Sequence, residues 1–223
     1  MKTYFFATVI LMTVPFSSYS EIVLSDTPQV VLENYQSTPA SSSLIVGRNS
    51  TFFDIQWATG FRTGNERSVL HSALFLYNGA WPGTTGGFKF SLYSDSSGLP
   101  GELTTELDGP DRPVNGITWY TATERLELES NTIYWLVASA LQTESPRFFE
   151  WRGTSSGDEV SNLAGWELLD SGALRTDQGA WSSTSSLGHT AIQVQAIPEP
   201  TSAILIALFA GGGLLARRIF PRV

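Results

Sequence analysis

Phe88-Lys89-Phe90-Ser91-Leu92-Tyr93 decides the fold class. In an extended chain successive side chains point to opposite faces, so Phe88, Phe90 and Leu92 share one face while Lys89, Ser91 and Tyr93 share the other. Upstream, Asn78-Gly79-Ala80-Trp81-Pro82-Gly83-Thr84-Thr85-Gly86-Gly87 concentrates residues that favour turns. Before that break, residues 69–77 bring Leu70, Leu74 and Leu76 together, and the two runs are expected to be adjacent antiparallel strands. The same period places Phe53, Ile55 and Trp57 on one face of residues 51–57. Further strands fit at 117–121, 133–139, 147–152 and 190–196, and no long segment carries a helical apolar stripe. Residues 155–186, rich in Gly, Ser and Asp around Trp166 and Trp181, are expected to form long loops with short strands. The expectation is an all-β fold: an antiparallel, jelly-roll-like β-sandwich over residues 44–196, preceded by a lead-in at 21–43.

Composition narrows the function classes. Between Glu21 and Ile197 lie 9 Lys and Arg against 20 Asp and Glu, a net charge of −11, which disfavours nucleic acid as a partner. The chain has no cysteine, so disulfides and thiolate metal sites are excluded and the domain depends on its apolar core. About 175 residues bury roughly 70% of their unfolded surface, enough for autonomous folding.

Both ends read as targeting segments. Residues 1–20 form an expected signal peptide: Lys2 supplies the positive start, residues 4–12 the apolar stretch, and Ser18-Tyr19-Ser20 the small residues that signal peptidase reads, with cleavage after Ser20. At the other end Pro198, Glu199 and Pro200 precede an apolar run at about 201–216, then Arg217 and Arg218. Sixteen helical residues span about 24 Å, and arginine side chains reaching to the phosphate level close most of the gap to the ~30 Å hydrocarbon core. The arginines mark the cytoplasmic side, leaving the acidic domain outside. The prolines deny helix continuation upstream, so the junction is expected to be extended and accessible.

Pro-Glu-Pro, an apolar helix and Arg-Arg, in that order over residues 197–222, resembles the PEP-CTERM sorting tail of Gram-negative bacteria that make extracellular polysaccharide, a tail also labelled ice-binding protein C-terminal domain. The resemblance implies exosortase as processing partner, transient contact with membrane lipid, and delivery to the cell surface or extracellular matrix of a biofilm. Residues 92–101 together with 126–137 are similar to "choice-of-anchor" ectodomains, especially type R, which implies a β-sandwich of unknown ligand.

Catalytic signals are sparse. The two histidines, His71 and His189, belong to no metal-binding or nucleophile motif, and no cofactor motif is present. Asp108 with Asp111, or Asp158 with Glu159, are neighbours in turns, whereas a glycosidase needs two carboxyls facing each other across a cleft; a secreted hydrolase is the minor alternative. Asp95 with Ser96 and Ser97, or Asp108 with Asp111, offer oxygen ligands to calcium, the competing reading being an aspartate bonded to its own turn. Asn49-Ser50-Thr51 matches a glycosylation acceptor. Trp81, Trp151, Trp166 and Trp181 fall in or beside expected loops, where exposed indoles stack on sugar rings, so a carbohydrate-binding module for extracellular polysaccharide is the alternative to a structural or adhesive role. Trp57, Trp119 and Trp135 fall in strands and are expected in the core.

Overall fold

The computed structural model describes residues 27–34, 39–48, 54–140, 147–154, 160–161, 164–184 and 189–199. The expected signal peptide, Asn49-Ser50-Thr51, Phe53, Asp158, Glu159, Pro200, the 201–216 segment and Arg217-Arg218 lie outside them. Among the described residues there is no helix, and every strand pairing is antiparallel.

Fourteen strands are described: β1 (Gln29–Glu33), β2 (Pro39–Arg48), β3 (Asp54–Arg62), β4 (Ser68–Ala80), β5 (Phe88–Asp95), β6 (Pro100–Leu107), β7 (Gly116–Leu128), β8 (Ile133–Ala140), β9 (Arg147–Thr154), β10 (Val160–Ser161), β11 (Glu167–Thr176), β12 (Ser182–Thr184), β13 (His189–Thr190) and β14 (Ile192–Pro198). One half runs β10-β1-β14-β4 with β7 on the far edge of β4; the other runs β11-β3-β8-β5-β6, with β12 outside β11. β9 and β2 form a ribbon between them, β9 pairing with the end of β4 and β2 with the start of β3. The hydrogen-bonded sheet is therefore continuous and curls over its own apolar face.

That face is the core. Phe88, Phe90 and Leu92 are buried, as their alternation requires; Phe88 and Phe90 meet Phe75 of β4 in the opposite half, and Phe90 meets Trp151 of the β9 ribbon strand. Phase and spacing favour tilted aromatic packing: Phe75 lies 4.5 Å from Phe88, 5.3 Å from Trp151 and 5.8 Å from Phe90, centroid to centroid. A smaller cluster of Ala58, Trp135, Val137 and Ala173 sits on the outer face of β3 and β8. Gly60 makes room there, since a Cβ on it would meet Leu169 at 2.5 Å and Trp135 at 3.1 Å.

Several expectations are corrected. β4 and β5 are not hairpin partners: β5 pairs with β8 and β6, so the 81–87 turn carries the chain from one half to the other. Leu70, Leu74 and Leu76 do not share a face. The ladder to β14 skips from Ser72–Gln195 to Leu70–Ala196, leaving His71 as an extra residue, and this bulge reverses the alternation. Leu70 then joins Ala73, Phe75 and Tyr77 in the main core, while Leu74 and Leu76 form an outer cluster with Ala191. Within the expected loop region 155–186, β11 is a ten-residue strand paired with β3. Inside the expected lead-in, β1 pairs with β14, so the folded body includes residues before 44.

Candidate functional site

Two places gather the expected functional residues. The first is the end of β14. Its ladder with β4 continues to Ile197 opposite Val69 and Pro198 opposite Ser68, and the Glu199 N–H donates to the Arg67 carbonyl at 2.9 Å. The Glu199 carboxylate accepts from the guanidinium of Arg125 on β7, whose Nε also reaches Glu127 at 3.3 Å. Arg67 pairs with Glu129, just past β7, at 2.8 Å. The Glu199 side chain is 25% exposed. Pro198 lines a cleft of about 230 Å³ with Gly64, Asn65, Glu66, Ser68, Ala164 and Trp166. Pro198 and Glu199 are therefore extended, as expected, yet they belong to the sheet margin instead of hanging free of it.

The second is the outer face of the β2–β9 ribbon. Phe149 and Trp151 point into the core, so Phe148, Glu150 and Arg152 point outward, opposite Gly47, Ile45 and Ser43 of β2. Trp81 follows β4 and is 43% exposed, its ring centroid 5.5 Å from that of Phe148. The turn beneath it is stapled down: the Trp81 N–H donates to the Phe148 carbonyl at 3.0 Å, and the Thr84 N–H to the Trp81 carbonyl at 3.0 Å. Gly83 has φ +87° and lies over the Arg147 guanidinium, whose carbon sits 3.2 Å from the place a Cβ would occupy. Asn78 Nδ2 donates to Ser43 Oγ at 2.7 Å and to Glu150 Oε2 at 3.2 Å. An exposed indole thus begins a row of amide, hydroxyl, carboxylate and guanidinium groups about 13 Å long, from the rise of a strand.

The other tryptophans fall differently from the sequence reading. Trp151 lies inside β9, fully buried, with Nε1 donating to the Ala191 carbonyl at 3.1 Å. Trp166 precedes β11 and is buried against Phe61, nearly parallel at 6.0 Å. Neither indole offers a face to a sugar. Trp181 is half-buried, and the Arg175 guanidinium stands 4.6 Å from its ring centre, occupying one face. Trp57 and Trp135 are buried, but Trp119 is 37% exposed. A strand cannot turn Trp119 and Tyr120 to the same side, and Tyr120 takes the core, its hydroxyl donating to the Pro110 carbonyl at 2.8 Å.

The acidic candidates are engaged locally. Asp95 Oδ1 accepts from Trp135 Nε1 at 2.8 Å and Oδ2 from the Gly98 N–H at 3.1 Å. Ser97 (φ +57°) and Gly98 (φ +79°) close this β5–β6 hairpin between Ser96 and Leu99, a tight turn in which both central residues have positive φ. Asp108 bridges Thr121 through backbone, while the Asp111 carboxylate packs over Gly86. Among the described residues no three His, Asp or Glu side chains converge as metal ligands. His71 is exposed on its bulge, with Nδ1 3.2 Å from Ser72 Oγ. Sequence reasoning missed Arg67 and Arg125, because their role depends on strand order. No known family, curated protein or solved structure matches the chain.

Proposed function

We propose that this chain is an exported cell-surface or extracellular-matrix protein with a non-enzymatic structural or adhesive role, its body a jelly-roll-like β-sandwich delivered by the sorting tail at 197–223. The observation that carries the reading is the junction. The last strand of the body runs into Pro198 and Glu199 with no intervening linker, and the apolar run with its closing Arg217-Arg218 follows at once. Signal peptidase acts at the front and exosortase at the back, with the tail in lipid between the two events. The test is fractionation of producing cells with and without exosortase, combined with peptide mapping of both termini. Enzyme-dependent loss of Arg217-Arg218 and recovery of the body at the surface supports the reading; a cytosolic product with both ends intact overturns it.

A second reading, association with extracellular polysaccharide, is favoured by the Trp81 row. An indole packed on Phe148 at one end, with Asn78 donating to both Ser43 and Glu150 nearby, suits a sugar ring followed by hydroxyl recognition. Trp81→Ala is expected to weaken polysaccharide pull-down at least tenfold, with Trp181→Ala nearly neutral because Arg175 already covers that indole. Equal retention of both variants would sink it.

A further inference from the structure

We infer that the folded body latches its own sorting motif, so that the processing enzyme reads Pro198-Glu199 only after the end of β14 has been unzipped from β4 and β7. This rests on the sorting reading proposed above. Three contacts make the latch. The Glu199 N–H is taken by the Arg67 carbonyl, adding one rung past the last paired residue of β14. The Glu199 carboxylate is taken by Arg125 from the neighbouring strand, on the other side of β4. The Pro198 ring faces the cleft that contains Trp166.

Their consequence is steric before it is energetic. An enzyme that recognises an extended Pro-Glu-Pro must surround the backbone and reach the carboxylate, but here one edge of that backbone is on the Arg67 carbonyl and the carboxylate is on a guanidinium. Binding to the enzyme and pairing with the sheet use the same groups, so they exclude each other. The latched state is the one that waits, and the open state is the one that is processed. Opening is not costly. Arg125 is exposed, and an exposed ion pair is weak and screened by salt, so the end of β14 frays while the interior of the sheet remains closed.

The arrangement also explains a charge pattern. Arg125 stands between Glu127 and Glu199, and Arg67 sits on Glu129. Loss of Glu199 from Arg125 leaves the guanidinium with Glu127, so the open state has no orphaned cation. A latch with such an exchange partner opens and closes while its guanidinium keeps a carboxylate beside it.

The experiment has two arms on the full chain. In purified, detergent-solubilised protein, hydrogen exchange at the Glu199 amide is measured for wild type, Arg125→Ala and Arg125→Lys. Exchange is expected to rise two- to fivefold in Arg125→Ala, to stay near wild type in Arg125→Lys, and to rise with added salt in wild type. In producing cells, the rate of tail removal is followed by pulse-labelling, and Arg125→Ala is expected to be processed two- to fivefold faster while its melting temperature stays within 2 °C of wild type. A Glu199 amide that exchanges freely in wild type, or a tail-removal rate indifferent to Arg125, overturns the latch. Absence of exosortase-dependent tail removal in every variant, with the Glu199 amide still protected, overturns the sorting reading and with it the role assigned to the contact, while leaving the contact itself established.

Discussion

Replacing Asp95 with alanine tests how the β5–β6 hairpin is tied to the body. The carboxylate holds two donors: the indole N–H of Trp135, a fully buried residue, and the exposed N–H of Gly98. A buried donor left without an acceptor costs about 1–3 kcal/mol, whereas water replaces the lost bond at Gly98 for about 0.5 kcal/mol. The sum is about 1.5–3.5 kcal/mol, and at about 2–4 °C per kcal/mol for a domain of this size the melting temperature falls by about 3–14 °C. Asp95→Asn keeps one acceptor for Trp135 but sets an amide N–H against the Gly98 N–H, so its loss should be near 1 kcal/mol. Urea unfolding followed by tryptophan fluorescence supplies the free energies, and a double-mutant cycle with Trp135→Phe isolates the pair, with a coupling of about 1–2 kcal/mol. Both oxygens being engaged, calcium and a chelator should leave the wild-type melting temperature equal. An Asp95→Ala cost under about 0.5 kcal/mol, or no coupling to Trp135, would refute the reasoning, and a calcium-dependent rise that vanishes in Asp95→Ala would favour the metal-ligand reading instead.

The Tyr120 phenol is raised far above its ordinary value, chiefly by burial and then by the Asp111 charge. Its neutral form is favoured by folding, so its contribution is whole below pH 10 and declines above it, by up to about 1.4 kcal/mol per pH unit. Tyr120→Phe should cost about 1 kcal/mol at pH 7, through the lost bond to the Pro110 carbonyl, yet show a shallower alkaline decline in urea midpoints between pH 9 and 11; parallel declines would contradict this. Gly64→Ala places a Cβ 2.6 Å from the Trp166 indole and 2.8 Å from the Ala164 carbonyl, so a loss of about 1–3 kcal/mol is expected by thermal unfolding, with a change in tryptophan emission; a neutral substitution would show that this margin yields freely.

The strands whose apolar residues alternate without interruption are legible in the sequence itself. Phe88, Phe90 and Leu92 point where their spacing says, and Trp57 and Trp135 are buried in strands. Legibility failed wherever pairing altered phase. The His71 bulge shifts Leu74 and Leu76 off the core face, and nothing local to residues 70–76 announces it. At Trp119-Tyr120 two adjacent aromatics share a strand that can turn only one of them inward, and membership of a strand does not say which; Tyr120 is the buried one. β11 was hidden by its Gly, Ser and Asp content, which reads as loop until β3 is known to lie beside it. The candidate junction was half legible: Pro198 and Glu199 stand out in sequence, but Arg125 is 74 residues from Glu199 and meets it only because β4 lies between β7 and β14.

The position of β14 has a consequence for the order of events in folding. It lies between β1 and β4, so one half of the sheet has a gap in its middle until residues 192–198 arrive, and the ladder from Gln29 to Ala196 closes almost the whole described chain. Such long-range closure is slow. A chain emerging amino end first therefore cannot complete this half of the sheet until nearly the last residue of β14 is free. The strand that completes the sheet is also the one that carries Pro198, so closing the core and setting the Pro198-Glu199 margin in place depend on the same seven residues.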